Sequence, residues 1–170
     1  MPARAIANDL RRLYRTESIG GLVARKTALT DLAGRYADSL NGRDVAERDL
    51  LSDNYINHNP YVEPGAAGSA SFFEQLLDAV PDIEVVCEDA IAVGTLEEGT
   101  VVGRYTYTGT FTNPLLGFAP TGKRIVMRSI DIWRVRDGKF AEHWDELNTA
   151  DFFGQLQGAE PQPRPGAATP

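Results

Sequence analysis

The chain carries one cysteine, Cys87, in 170 residues. It can therefore close no internal disulfide and build no multi-cysteine metal site. Cys87 stands in an apolar stretch, where a small buried hydrophobe is the expected role. No run approaches the roughly 18 apolar residues of a membrane span, so no membrane partner is expected. Nor does an uninterrupted apolar stretch follow the first arginines, and the chain reads as cytoplasmic. Basic charge is scarce. A formal net charge of −7 argues against general nucleic-acid binding, which needs many Lys and Arg contacts to phosphate. No H-E-x-x-H or other helical ligand spacing is present.

The length suits one domain with a single core. Residues 1–26 form an N-terminal extension with Arg4, Arg11, Arg12, Arg15, Arg25 and Lys26 against Asp9 and Glu17, expected to dock as a helix (Ala5–Tyr14) on the acidic body. Apolar residues at Leu22, Leu29, Leu32, Tyr36 and Leu40 predict a helix, stopped by Asn41-Gly42. Asp44–Leu51 predicts another short helix capped by Asp44. Tyr55–Pro60 reads as a short strand entering a loop, and Glu63–Ser69 as a turn before a helix over Ser69–Val80 that Pro81 ends. The pattern then becomes strands: Ile83–Val93, Thr100–Phe111, Arg124–Val135 and Lys139–Leu147, with turns at Glu97-Glu98-Gly99 and Arg136-Asp137-Gly138. Helices first and an antiparallel meander afterwards imply an α+β domain over residues 27–157, its helices covering one face of a curved sheet. The Gly/Pro/Ala/Gln-rich residues 158–170 are expected to be disordered.

The chemistry gathers on the last two strands. Side chains alternate faces along a strand, so Asp131 shares a side with Ile125, Met127, Ser129 and Trp133. In the partner strand, Ala141, His143, Asp145 and Leu147 share a side. Whether the two sets meet depends on the hairpin loop. A three-residue Arg136-Asp137-Gly138 loop sets Asp131 opposite His143 and Asp145 opposite Ser129. A two-residue turn sets Asp131 with Glu142 and Trp144 instead. The three-residue loop is favoured because it collects the polar residues into one site. There, burial and a second carboxylate disfavour ionisation, so one aspartate can hold a proton while the other acts as base, with His143 bridging or orienting them. A structural Asp–His hydrogen bond accounts for the same residues.

His58, where the strand becomes a loop, is a further catalytic candidate, the plainer reading being that Asn57 and Asn59 serve the turn. Tyr105 and Tyr107 share one strand face, and a tyrosine there, Tyr105 being the candidate, could donate to a developing oxyanion. Phe72, Phe111 and Trp133 are either core or cavity wall, and with Tyr105 they are the candidate ligand contacts. Asp131, His143, Asp145 and His58 include ligand types for Zn²⁺ or Fe²⁺, but with no supporting spacing no metal is expected.

Tyr55-Ile56-Asn57-His58-Asn59-Pro60, Phe72-Phe73 before Val80-Pro81-Asp82-Ile83, Tyr107-Thr108-Gly109-Thr110, Pro120-Thr121-Gly122-Lys123, Ile130–Lys139 and Glu142-His143-Trp144-Asp145 together resemble the SnoaL-like polyketide cyclases over about residues 28–157. That family belongs to the superfamily of nuclear transport factor two and ketosteroid isomerase. The resemblance implies a cone-shaped, strongly bent antiparallel sheet closed by about three N-terminal helices around a deep pocket, often as a homodimer through the sheet. It implies cofactor-free intramolecular aldol condensation of a polyketide-like, hydrophobic ligand, with the acid/base role falling to Asp145. Asp131 and Phe111 depart from the family pattern, since His can occupy either position in relatives. A hydrolase or dehydratase using the same aspartates, or a non-catalytic dimeric module that binds a small ligand, are the alternatives.

Overall fold

The computed structural model describes residues 27–43 and 49–163. The predicted helix Ala5–Tyr14, residues 22–26 of the next one, residues 44–48 of the predicted Asp44–Leu51 helix and residues 164–170 of the expected disordered tail lie outside them. The first described helix, α1 (Ala28–Asn41), starts at a reciprocal cap: Thr27 Oγ1 accepts from the Thr30 N–H, and Thr30 Oγ1 accepts from the Thr27 N–H. Its buried stripe is Leu29, Leu32, Ala33, Tyr36, Ala37 and Leu40. Strand β1 (Leu51–Asn57) begins where a helix was expected. Helix α2 (Gly65–Ala79) starts inside the expected Glu63–Ser69 turn. Gly68 explains how a glycine-rich segment can be helical here. A Cβ on it would lie 1.9 Å from the Glu63 carbonyl oxygen, so the chain can pass over the helix only at a glycine.

Four strands follow: β2 (Glu84–Gly94), β3 (Glu98–Thr110), β4 (Arg124–Arg136) and β5 (Lys139–Leu147), then helix α3 (Thr149–Leu156). The sheet order is β1-β5-β4-β3-β2. The sheet is curved and mixed rather than wholly antiparallel, because β1 lies parallel to β5. Two of the three described helices precede the meander and the third follows it. Odd-numbered side chains of β3 and β4 face the helices: Val101, Tyr105 and Tyr107, with Ile125, Met127, Trp133 and Val135. Burying each large apolar side chain contributes about 1.5–3 kcal/mol, which fixes the face against a one-residue slip. Residues 158–163, expected to open a disordered tail, are tied to the body: Lys123 Nζ donates to the Gly158 carbonyl and pairs with Glu160, and the Gln162 N–H donates to Asp151 Oδ1.

The β4–β5 hairpin corrects the expected loop. Arg136 pairs with Lys139, leaving a two-residue turn in which Asp137 (φ 49°) and Gly138 (φ 74°) are both left-handed. Such a turn alone would oppose Asp131 to Trp144. The register shifts between Arg134 and Val135, however, with Val135 facing Phe140 and Arg134 facing Glu142. Ala141 is the extra residue of a bulge. Beyond it Trp133 faces His143, Asp131 faces Asp145 and Ser129 faces Leu147. The polar set thus shares the inner face, but Asp131 lies opposite Asp145 rather than His143.

Candidate active site

Asp131, His143 and Asp145 meet beneath α1 and α2, their closest ligand-type atoms all within 4.8 Å of one another. Asp131 is 2% exposed and His143 7%. Asp131 Oδ1 lies 2.9 Å from His143 Nε2, and its Oδ2 accepts a short hydrogen bond from the Ser129 hydroxyl. The His143 ring stacks on Trp133 at 5.2 Å and 18°, with Tyr55 parallel to it at 6.5 Å. Asp145 Oδ2 accepts from the Asn59 amide at 2.6 Å. Its other oxygen has no hydrogen-bond partner among the described residues. Burial pushes the Asp145 carboxyl above the usual carboxylate range; the His143 charge opposes this, Asp131 adds to it, and the Asn59 amide again opposes it.

These groups close one end of a narrow cavity with about 40 Å³ open to the centres of water molecules. Its walls are mainly apolar and aromatic, including Tyr36, Phe72, Phe73, Tyr107, Trp133 and Leu147. The Tyr36 and Tyr107 hydroxyls lie 3.2 Å apart within it. A volume of that size holds only a few waters.

Trp133 and Phe72 line the cavity as anticipated candidates, but three other residues do not. His58 lies on the outer face, where its ring stacks on Trp144 at 4.7 Å and 5° and its Nε2 contacts Glu142 Oε1 at 2.9 Å. Alternation sends His58 outward and its neighbours Asn57 and Asn59 inward, and both of these line the cavity. Tyr105 is wholly buried under α1, its hydroxyl donating to the Ala33 carbonyl at 2.9 Å, and burial drives its pKa far up. Tyr107, two residues along the same face, reaches the cavity instead. Phe111 is a fully buried core residue just past β3, outside the cavity wall. Sequence reading passed over Tyr36; it gave Asn57 and Asn59 only the turn role, which both do fill, and named Tyr107 only as sharing a face with Tyr105. The amides carried a usable signal, two polar residues at i and i+2 at the end of a strand.

Asp131, His143 and Asp145 could offer a cation one nitrogen and carboxylate oxygens. Most of those atoms are committed to protein partners: both Asp131 oxygens, both His143 nitrogens and one Asp145 oxygen.

The sequence profile of the SnoaL-like polyketide cyclase family matches residues 30–156. Among solved structures, TsrD from Streptomyces laurentii is 27% identical, with a TM-score of 0.69 over 79% of this chain and 98% of that one. AclR from Streptomyces galilaeus, proposed to be a hydroxylase, is 23% identical, with a TM-score of 0.63 over 82% of this chain and 100% of that one. IdmH from Streptomyces antibioticus, proposed to be a polyketide cyclase, is 24% identical, with a TM-score of 0.61 over 75% and 97%. No curated protein sequence matches the chain.

Proposed function

Because the chain belongs to the SnoaL-like polyketide cyclase family, we propose that it closes a ring in a polyketide-like substrate by cofactor-independent acid–base catalysis, with Asp145 as the base. One observation carries this reading. Asp145 lines the cavity with one carboxylate oxygen held by Asn59 and the other without a hydrogen-bond partner among the described residues. Both oxygens of Asp131 and both ring nitrogens of His143 are engaged.

The Asp145 carboxylate takes a proton from the carbon α to a substrate carbonyl, and the electron pair moves to the carbonyl oxygen as an enolate. A hydroxyl of the Tyr36–Tyr107 pair donates to that oxygen. The enolate carbon then attacks a second carbonyl of the same molecule, forming the C–C bond, and the resulting alkoxide recovers the proton from Asp145. A raised carboxyl pKa makes Asp145 a stronger base than an ordinary aspartate, and proton transfer by such a group contributes roughly 10²–10⁴ in rate. Asp145→Asn is expected to abolish turnover while substrate still binds, as read by single-turnover kinetics beside a binding titration. Turnover within tenfold of wild type would sink the assignment. Hydrolysis at the same base is separated by running the reaction in ¹⁸O-water, since it carries solvent oxygen into the product and aldol closure does not; dehydration is separated by a product lighter than the substrate by one water, where aldol closure leaves the mass unchanged.

The outer sheet face carries the row Ile91–Val102–Ile132–Trp144 in cross-strand register, with Ile91 and Ile132 exposed. Arg134 and Glu142 flank the row on one side and Arg104 and Glu146 on the other, so charges of both signs border the apolar strip. A second copy of the chain is its proposed occupant. Ile132→Lys should convert a dimer to a monomer in sedimentation equilibrium; an unchanged mass would remove this face from the interface.

A further inference from the structure

Asn57 and Asn59 make successive turns of the same kind. Asn57 Oδ1 accepts the Asn59 N–H at 3.0 Å, and Asn59 Oδ1 accepts the Tyr61 N–H at 2.8 Å. A backbone N–H can only donate, so each contact fixes which end of the amide is oxygen. Rotating either amide by half a turn would set donor against donor. Each side chain therefore presents a determined polarity to the site. Asn57 Oδ1 also faces His143 Nδ1 at 3.3 Å, and Asn59 Nδ2 faces Asp145 Oδ2 at 2.6 Å.

We propose that this tandem turn sets where the protons of the site reside: Asn57 requires a proton on Nδ1 of His143, and Asn59 requires an accepting, unprotonated Oδ2 on Asp145. Its bearing on catalysis rests on the reading of Asp145 as the base. With Nδ1 protonated, His143 Nε2 meets Asp131 Oδ1 in one of two ways. Either Nε2 carries a second proton and Asp131 is a carboxylate, or Nε2 is bare and Asp131 carries the proton. Both arrangements keep one proton in the 2.9 Å Asp131–His143 contact. The Ser129 hydroxyl, donating to the other Asp131 oxygen, favours the carboxylate and hence a positive ring beside Asp145. With both ring nitrogens engaged, this histidine has no free nitrogen to offer a substrate. It acts on Asp145 through its charge, and Asn57 is a positioning residue that acts through it. Asn59 leaves the remaining Asp145 oxygen as the one free to accept a substrate proton.

The chain has two histidines, so a His58→Gln variant leaves a single ring to observe. Its ¹⁵N-histidine spectrum, recorded at neutral pH with no ligand, should show His143 Nδ1 bearing a proton. A bare Nδ1 with the proton on Nε2 alone would overturn the proposal. In the same background, Asn57→Leu removes the acceptor, and most molecules should pass to the Nε2–H form that donates to Asp131. Asn57→Asp retains an oxygen for both the turn and the ring and should keep the Nδ1 proton. An Nδ1 proton unchanged in Asn57→Leu would show that Asn57 does not set it. If that variant fails to fold, the His58→Gln spectrum alone still decides. The spectrum needs no substrate, so its failure leaves the Asp145 assignment standing. An active Asp145→Asn enzyme would remove that assignment, while the His58→Gln spectrum, recorded with Asp145 in place, would still be judged by itself.

Discussion

The two faces of the β4–β5 hairpin carry nearly the same pair of groups. On the inner face His143 lies 2.9 Å from Asp131 and stacks on Trp133; on the outer face His58 lies 2.9 Å from Glu142 and stacks on Trp144. Distance does not separate them. Surroundings do: the side chains of the inner pair are 9% and 3% exposed, those of the outer pair 41% and 30%. In water two unit charges at this range attract by little more than about 1 kcal/mol, and the interaction grows as the effective dielectric falls. The inner pair is therefore the one whose loss the fold should register, and the one able to influence a neighbour such as Asp145.

Breaking the inner pair should have the largest effect. Asp131→Ala leaves His143 and the Ser129 hydroxyl buried without their acceptor, and removing one partner of a buried pair costs about 3–5 kcal/mol. Urea denaturation should show that loss as a lower midpoint with an unchanged slope. A loss below about 1 kcal/mol would mean that the two faces are energetically alike.

A smaller effect, opposite in sign, is expected at Asp145. Burial raises its folded pKa above the unfolded value, so its carboxyl stabilises the fold while protonated in acid, and this contribution is lost as pH rises through the raised folded pKa. At neutral pH the carboxylate is a net cost, lessened by solvent at its partly exposed side. Asp145→Asn should thus melt above wild type at neutral pH, the difference fading as the buffer is made acid. A thermal scan across pH checks it. A variant that melts lower at neutral pH and no differently in acid would reverse the sign and make Asp145 a stabilising carboxylate. Gained stability with lost turnover is the exchange expected where function holds a charge in an unfavourable place.

Which groups belong to which face was only partly legible in the sequence. Alternation places Asp131, His143 and Asp145 together on inner positions provided that the two strands keep odd residues opposite odd. The turn chemistry of Asp137-Gly138 taken alone argues for the opposite parity. The bulge at Ala141 restores it, and nothing in Phe140-Ala141-Glu142 announces a bulge, because its geometry arises from the neighbouring strands β4 and β1. The parallel β1–β5 pairing is hidden for a similar reason. It joins residues more than eighty positions apart, while local pattern speaks only for each strand by itself. Tyr105 and Tyr107 have equal claims by alternation. The Ala33 carbonyl of α1, lying over Tyr105, decides between them, and that is a tertiary fact. His58 drew attention as a histidine in a loop, yet parity along Asn57-His58-Asn59 favoured the two amides.

The smallest predicted effect tests the outer pair directly. Glu142→Gln removes the charge but keeps the shape, so the His58–Trp144 stack can persist. Exposed pairs contribute about 0–1 kcal/mol because solvent screens them and both side chains lose rotamer freedom. The expected change in urea stability is therefore no more than about 0.5 kcal/mol, shrinking further when the measurement is repeated near 1 M salt, where screening acts over about 3 Å. Asp131→Asn, measured beside it, is the matching change on the inner face, with its loss expected to persist in salt because that pair is almost wholly buried from bulk solvent. If Glu142→Gln instead costs more than about 2 kcal/mol and salt leaves the loss intact, the outer pair must be covered in solution. A second copy of the chain lying across Ile132 and Trp144 would do this, and the two faces would then differ in what buries them rather than in whether they are buried.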